Sequence, residues 1–391
     1  MNMDISFTNR LATFCFACYV IANSLCIPFG AIGSGGILPI IMAISVGGVI
    51  VATKGQTLKN IQRSQIVFVL ILLLFMFFSY IFAPGYGVSE VVRSFSFFVS
   101  TCILSLFVIN YNFSFEYFSR CILILTIPIT PFAITGDFSV IAEGATTASD
   151  EWMGFGYSVL PLMVLSMYYL FEGEKKTLKL LSIVLFIALS LAFIPHASRG
   201  AILSLVMSLA YFLYSELQKR GVRKKTIWTI IIILLIAVGL FSQIVLSYIE
   251  DAVERSGIYS LSKFFTREDA SNGRFDLYSL AWKGIISSPL WGNGIASFNN
   301  YETYPHNIVI QILYEGGIAL FLLLVKKIIV VFKVITTKLC TYIDPRFLIF
   351  FFFTSFIELF FSSSFWEKQR FWMMIWLTYS VYNSNYKNSW K

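Results

Sequence analysis

The chain has 391 residues, of which 57% are hydrophobic and only 13% are charged. Soluble domains carry about 45–50% apolar and about 25% charged residues, so this chain cannot cover itself with polar side chains in water, and a soluble protein is excluded. Its net charge of +8 comes from 29 Lys and Arg residues against 21 Asp and Glu. In a membrane protein such an excess belongs to cytoplasmic loops, which argues against a nucleic-acid partner.

Apolar runs of membrane-spanning length predict about twelve transmembrane helices. The predicted fold class is an all-α, polytopic integral membrane helix bundle that forms a single transmembrane domain over residues 1–391, with one long periplasmic loop containing short helices. In chain order the predicted spans cover residues 11–32, 37–52, 66–83, 95–110, 121–136, 153–171, 180–195, 200–215, 227–249, 308–325, 347–365 and 371–384.

Basic residues assign the two sides of the membrane. With a cytoplasmic N-terminus, the inside segments hold 20 of the 29 Lys and Arg residues, as the positive-inside rule requires. The outer loop 137–152 is acidic and has no basic residue. Both termini are therefore predicted to be cytoplasmic. The first apolar run lacks a basic n-region and is followed at once by another span, so we expect a retained helix rather than a signal peptide.

The longest predicted connection, residues 250–307, lies between the ninth and tenth spans and faces the periplasm. Loops longer than about 12–15 residues are usually functional or disordered, and ten aromatic residues in this loop favour a folded segment. Bulky residues at helical spacing from Phe275 to Ile286 predict a short helix. Its plainest interpretation is an amphipathic helix in the membrane interface.

Both histidines of the chain lie on the predicted outer side. His196 lies in the tight connection between the seventh and eighth spans, and His306 lies where the long loop enters the tenth span. An imidazole exchanges protons near neutral pH and can serve as a general base. His306, between Pro305 and Asn307, is the stronger candidate. For His196 a polar residue at a helix end is the simpler interpretation.

Two arginines on the same side are candidate anion ligands. Arg199 opens the eighth span, where it could merely extend to the lipid headgroups, but the dipole of a helix N-terminus also attracts phosphate. Arg274 follows Ser271-Asn272-Gly273, turn residues that predict the start of a helix. Two guanidinium groups can clamp a diphosphate through bidentate, charge-assisted hydrogen bonds.

Two glutamates lie within predicted spans, where an ionisable side chain is costly and hence a candidate for function. Glu315 lies nine residues after His306 and next to Gly316-Gly317, which equally favour a close helix crossing. Glu358 has no assigned role. Residues 291–294, Trp-Gly-Asn-Gly, predict a turn. No DxD or HExxH pattern occurs. Cys15 and Cys18 form one CxxC pair inside the first apolar run, but no second cysteine pair and no pair of neighbouring histidines accompanies it, so we expect no metal and no other cofactor.

Four motifs follow one another in the second half of the chain. They are Ser198-Arg199-Gly200-Ala201, Gly273-Arg274 ahead of Trp282, Pro289-Leu290-Trp291-Gly292-Asn293-Gly294 with Phe298, and His306-Asn307 followed by Gln311-Ile312-Leu313-Tyr314-Glu315-Gly316-Gly317. In residue identity, order and spacing this series resembles the O-antigen polymerase/O-antigen ligase superfamily of bacterial membrane glycosyltransferases. The resemblance covers residues 180–325, and the N-terminal half contributes hydropathy only.

The resemblance implies metal-independent transfer of a glycan from an undecaprenyl-diphosphate-linked oligosaccharide to a sugar hydroxyl, at the periplasmic face of the bacterial inner membrane. It implies that Arg199 and Arg274 bind the diphosphate and that His306 assists the acceptor hydroxyl. Supporting roles are assigned to His196, Tyr304, Asn307 and Glu315. Beside the lipid-linked donor and the bilayer, a chain-length regulator and a flippase are candidate partners.

Several activities fit this resemblance. We favour an O-antigen polymerase, which extends a lipid-linked repeat unit. The reasons are the short chain and the Gly-Asn-Gly and Pro-His-Asn motifs. The alternatives are an O-antigen ligase, which transfers the glycan to the lipid A core, and a capsule or exopolysaccharide polymerase. A lipid-linked oligosaccharide flippase is more distant, because a transporter would place ionisable residues in mid-membrane cavities, whereas here the candidate residues lie outside.

Overall fold

A computed structural model describes residues 7–29, 37–82, 92, 95–135, 148–173, 175–196, 198–223, 225–226, 229, 274–298, 305–337, 344–362 and 364–382. Within these ranges the regular structure is helical and no strand occurs. Almost all of the predicted ninth span, most of the long loop and Tyr304 lie outside the described residues.

The described helices are α1 Phe7–Val20, α2 Ala22–Leu25, α3 Ile37–Ala52, α4 Gln56–Lys59, α5 Arg63–Phe82, α6 Phe95–Ile109, α7 Phe115–Thr135, α8 Ala148–Glu172, α9 Lys176–His196, α10 Arg199–Lys219, α11 Arg274–Ser287, α12 Ile308–Thr337, α13 Pro345–Phe351 and α14 Gln369–Tyr382. The middle of α6 is a π-helix, Phe98–Ile103. Helix α13 continues as a π-helix, Phe352–Phe356, and then as a 3-10 turn, Glu358–Phe360.

The all-helical class is confirmed for the described residues. By length and composition four helices can cross a membrane, namely Phe115–Thr135, Gly154–Glu172, Lys176–Ile194 and Gly200–Lys219. A fifth span would result if the bent pair Phe7–Val20 and Ala22–Phe29 crosses as one. That pair meets at 80°, so the predicted span 11–32 is not one straight helix. The total of twelve spans stays a prediction.

The first of two compact units comprises Met1–Leu25, Ser34–Ile122 and Ser271–Lys391. Here α1 packs on α3, and α14 packs on α6, α12 and α13. The core is aromatic, because phenylalanine and tryptophan bury large apolar areas, and Trp372 and Trp376 are fully buried. The Trp376 Nε1–H donates to the carbonyl of Cys102 at 2.9 Å, within the π-helical part of α6, and so attaches α14 to α6.

The second unit comprises Cys26–Gly33 and Leu123–Ala270. Helix α8 is the most buried helix of this unit: 83% of its apolar stretch is buried, against 28% for α9 and 33% for α10. Both α9 and α10 pack on α8. An ion pair between Glu172 and Lys219 brings the last residues of α8 and α10 together. Because α10 is about 30 Å long, its first residue, Arg199, lies about that far along the helix from this ion pair.

Helix α12 is broken within its predicted span. Gly317 has φ 62° and ψ −165°, which is not helical, so the normal bonds from the N–H groups of residues 318 and 319 to the carbonyls of residues 314 and 315 are not made. We call residues 289–294 the strap, because they bridge this break. Asn293 N–H donates to Tyr314 O at 2.7 Å and Gly294 N–H to Glu315 O at 2.9 Å.

The strap also accepts from the other side of the break. Ile318 N–H donates to Pro289 O at 2.9 Å, and Ala319 N–H donates to Leu290 O at 3.2 Å. Every backbone group that the break would leave unpaired at these positions is therefore satisfied, as burial requires. The turn predicted at 291–294 is present, but Gly316-Gly317 approaches this strap rather than another helix.

We expect Gly317→Ala to lower the free energy of unfolding by about 2 kcal/mol or more. The φ/ψ pair of Gly317 is almost restricted to glycine, which alone costs about 1–3 kcal/mol, and an added Cβ would collide with the carbonyl of Leu290. Thermal unfolding of the detergent-solubilised protein measures the effect. Gly47→Ala in α3 is the matched control, since its Cβ would meet nothing within 4 Å. Equal melting temperatures for the two variants would contradict the bracing role of the strap.

Candidate functional site

Helix α11, which begins at Arg274, packs against the part of α12 that follows His306. The contact is a buried cluster of Ala281, Ile285, Phe298 and Tyr314. The rings of Phe298 and Tyr314 meet edge to face with centroids 4.8 Å apart. The helix predicted between residues 275 and 286 is confirmed, and it is packed on the helix whose N-terminus follows His306.

The backbone fixes the place of His306. The Oδ1 atom of Asn307 accepts from the N–H groups of Val309 at 3.0 Å and Ile310 at 3.3 Å, so Asn307 caps α12. Directly before this cap, the half-buried His306 has a φ of 52°. Left-handed backbone is uncommon for a residue other than glycine and is often found at functional sites. The cap at Asn307 thus fixes the backbone next to His306, and the supporting role of Asn307 stays a prediction.

Glu315 is buried, with 1% of its surface exposed, and its carboxylate is fully engaged. Oε1 accepts from Gln311 Nε2 at 2.9 Å, Oε2 accepts from Trp366 Nε1 at 2.7 Å, and the backbone N–H of Ala296 also donates to it. Gln311 Nε2 donates in addition to Ser364 Oγ at 2.7 Å. These contacts attach this turn of α12 to the segments that supply the donors, so Glu315 is an anchor of α12.

Arg274 is held at the start of α11. Its Nη2 donates to the carbonyl of Phe361 at 3.0 Å. A guanidinium has five N–H donors and stays charged at all accessible pH values. One bond to a neutral carbonyl therefore orients the group without neutralising its charge.

The connection between the last two helices, residues 361–368, receives these contacts. The sequence predicted a span up to residue 365 and a short connection at 366–370, whereas in the structure residues 361–365 already belong to the connection, and Phe365 and Trp366 are buried within the first unit. The fully buried Glu358 pairs with Lys368 at 2.5 Å, which gives a partner to a residue that sequence reasoning left without a role.

Sequence reasoning assigned no role to three residues around Glu315. Glu315 bonds directly to Gln311 and Trp366. Ser364 is linked to Glu315 through Gln311. Gln311 could have been found, because two polar residues at an i, i+4 spacing share one face of an otherwise apolar helix. Nothing in the pattern marks Ser364 or Trp366, since they lie about fifty residues further along the chain.

In the second unit, α9 ends at His196 and α10 begins at Arg199. Ser198 caps α10 by accepting from Ala201 N at 3.3 Å, so the tight connection predicted from the sequence is present. The side chains of His196 and Arg199 lie outside what the structure describes. Arg199 and Arg274 are nevertheless each the first residue of a helix, where unpaired N–H groups favour an anion.

Comparison with known families supports the resemblance seen in the motifs. Residues 183–325 match a family model described as O-antigen ligase, which confirms the predicted similarity to the O-antigen polymerase/ligase superfamily. The matched range contains Arg199, Arg274, the strap and His306. Members of the family are glycosyltransferase-like enzymes, and the match indicates an activity of polymerase or ligase type. No curated protein matches the chain.

Proposed function

We propose that the protein is an O-antigen polymerase of the bacterial inner membrane. It transfers the growing glycan from undecaprenyl diphosphate to a lipid-linked repeat unit at the periplasmic face, and both of its termini are cytoplasmic. One observation carries the proposal: within the range that matches the O-antigen ligase family, Arg199 and Arg274 each open a helix and His306 directly precedes the cap of another.

In the proposed reaction the acceptor hydroxyl oxygen attacks the anomeric carbon of the donor glycan. His306 accepts the proton of that hydroxyl, and the bond between the anomeric carbon and the diphosphate oxygen breaks, with its electron pair leaving on the diphosphate. Negative charge on the leaving group grows during this step. Fixed cations stabilise that charge most effectively where water is excluded. Arg199 and Arg274 supply them, so the proposed step requires no metal ion.

A ligase is the second candidate, favoured by the description of the matching family. Ligase and polymerase share the donor and the leaving group and differ in the acceptor. We favour the polymerase because of the Gly-Asn-Gly segment at residues 292–294 and the Pro-His-Asn segment at residues 305–307.

Purified protein in detergent distinguishes these activities. With an undecaprenyl-diphosphate-linked repeat unit as the only substrate, we expect a ladder of lengthened lipid-linked glycans, resolved by gel electrophoresis. Adding lipid A core to the same reaction should leave that ladder unchanged. Transfer to lipid A core without a ladder would replace the polymerase by the ligase. A protein active with neither acceptor, but able to move lipid-linked glycan across sealed vesicles, would overturn the enzyme assignment in favour of a flippase.

A further inference from the structure

The break at Gly317 makes residues 308–316 a short helix with its own attachments. The rest of α12 does not fix the direction of this half-helix, because the backbone hydrogen bonds that would cross the break are made to the strap instead. What holds this half-helix sets the place of His306 at its N-terminal end. Side chains must therefore supply part of its orientation.

Two polar side chains anchor the half-helix to the connection between α13 and α14. Gln311 donates to Ser364 Oγ at 2.7 Å, and the carboxylate of Glu315 accepts from Trp366 Nε1 at 2.7 Å. All four side chains are buried. Buried hydrogen bonds are strengthened by the low local dielectric, and leaving one partner unpaired is expensive. These two hydrogen bonds therefore favour one orientation of the half-helix, in addition to any stability that they contribute.

The same connection is fixed from its other side. The carbonyl of Trp366 accepts from Thr101 Oγ1 at 2.6 Å, in the π-helical part of α6. Directly after the connection, Gln369, the first residue of α14, donates to the carbonyl of Tyr19 in α1. Arg274 also donates to this connection, at Phe361. One anchored segment thus contacts both the arginine and the half-helix that follows His306.

We propose that Glu315 is a positioning residue. Through Gln311 and Trp366 it fixes the half-helix to the segment that holds Arg274, so that the imidazole of His306 and the guanidinium keep one geometry. The catalytic part of this inference rests on the proposed function. The geometric part does not, since it concerns only where His306 is held.

Two substitutions at position 315 separate hydrogen bonding from charge. Glu315→Leu keeps the approximate volume but leaves the Trp366 indole without its acceptor and the Gln311 amide with Ser364 Oγ alone. Glu315→Gln retains an oxygen for the indole, and its amide can bond to Gln311 if that side chain turns over. We expect Glu315→Leu to lower kcat about 10–100-fold with the donor KM within about twofold, because small misplacements of reacting groups have effects of this size. Glu315→Gln should stay within about threefold of the parent.

Trp366→Phe tests the same bond from its other end, removing the indole N–H and keeping an aromatic ring. Its effect on kcat should not add to that of Glu315→Leu in the double variant, because residues that share one interaction are non-additive. Full additivity of the two effects would overturn the proposal. Trp366→Phe also keeps the proposal testable if Glu315→Leu fails to fold.

The chain has two histidines, which gives a readout independent of turnover. In a His196→Asn background, diethylpyrocarbonate reacts with the single imidazole of His306, and absorbance follows its rate over a pH series. We expect Glu315→Leu to change that rate or its pH midpoint, and Glu315→Gln to restore it. Gln65→Leu is the matched control, since it breaks another buried hydrogen bond, to Asn110, and should leave His306 reactivity unchanged.

An unchanged acylation rate and pH profile in folded Glu315→Leu would overturn the positioning role, whatever the activity of that variant. An altered profile in Glu315→Leu, together with full activity of His306→Ala, would support the positioning role and overturn the base assignment instead. The two failures are thus distinguishable.

Discussion

Replacing His306 by asparagine should lower the rate of chain extension by about 10²–10⁴-fold, the range that general-base catalysis contributes. Asparagine is the better substitution than alanine, because it tolerates the left-handed backbone that His306 adopts at φ 52°. The variant therefore removes the imidazole without straining the cap at Asn307. Purified protein with saturating lipid-linked repeat units measures the rate.

Binding of the lipid-linked donor should survive this change, since His306 is assigned to the acceptor hydroxyl and not to the diphosphate. A labelled donor titrated into His306→Asn should bind within about twofold of the parent affinity, while the transition-state contribution is lost. His196→Asn is the natural comparison, as it replaces the other histidine of the chain, and we expect it to lose less than tenfold. Extension at the parental rate by His306→Asn would contradict the base assignment.

Hydropathy predicted the helices well, because a lipid environment requires long apolar runs whose backbone groups pair internally. Apart from the ninth, each predicted span overlaps described helical structure, although the eleventh, 347–365, runs into the connection between α13 and α14. The 80° bend between α1 and α2 left no sign in the apolar run 11–32. A bend of this kind depends on tertiary packing, which composition and periodicity do not report.

The candidate residues could be chosen from the sequence for a similar reason: Arg274 and His306 are polar residues at the ends of apolar runs, and their roles stay predictions. Their supports were not predictable. The bond from Trp366 to Glu315 joins residues 51 positions apart, and the strap pairs its backbone with a break in α12 that the sequence marks only by glycines. Nothing local in the chain encodes such pairings.

Arg274→Ala should lower chain extension by about 10²–10³-fold, the loss typical when a group that stabilises developing negative charge is removed. Lys283→Ala is the matched control, because it removes an exposed basic side chain from the same helix, and it should keep the parental rate. Arg199→Ala, at the start of α10, should lose activity to a similar extent as Arg274→Ala. Both arginine variants should also weaken binding of the lipid diphosphate, unlike the His306 variant.

A structural role for Arg274 must be separated from a role in catalysis, because its guanidinium also donates to the carbonyl of Phe361. Arg274→Gln keeps an N–H donor for that carbonyl and loses the charge, whereas Arg274→Lys keeps the charge and loses the planar fork. If the positive charge acts on the diphosphate, the glutamine variant should be nearly as inactive as alanine, and lysine should recover part of the rate. Recovery by glutamine and not by lysine would show that Arg274 only anchors the connection between α13 and α14, and the leaving group would then need another cation.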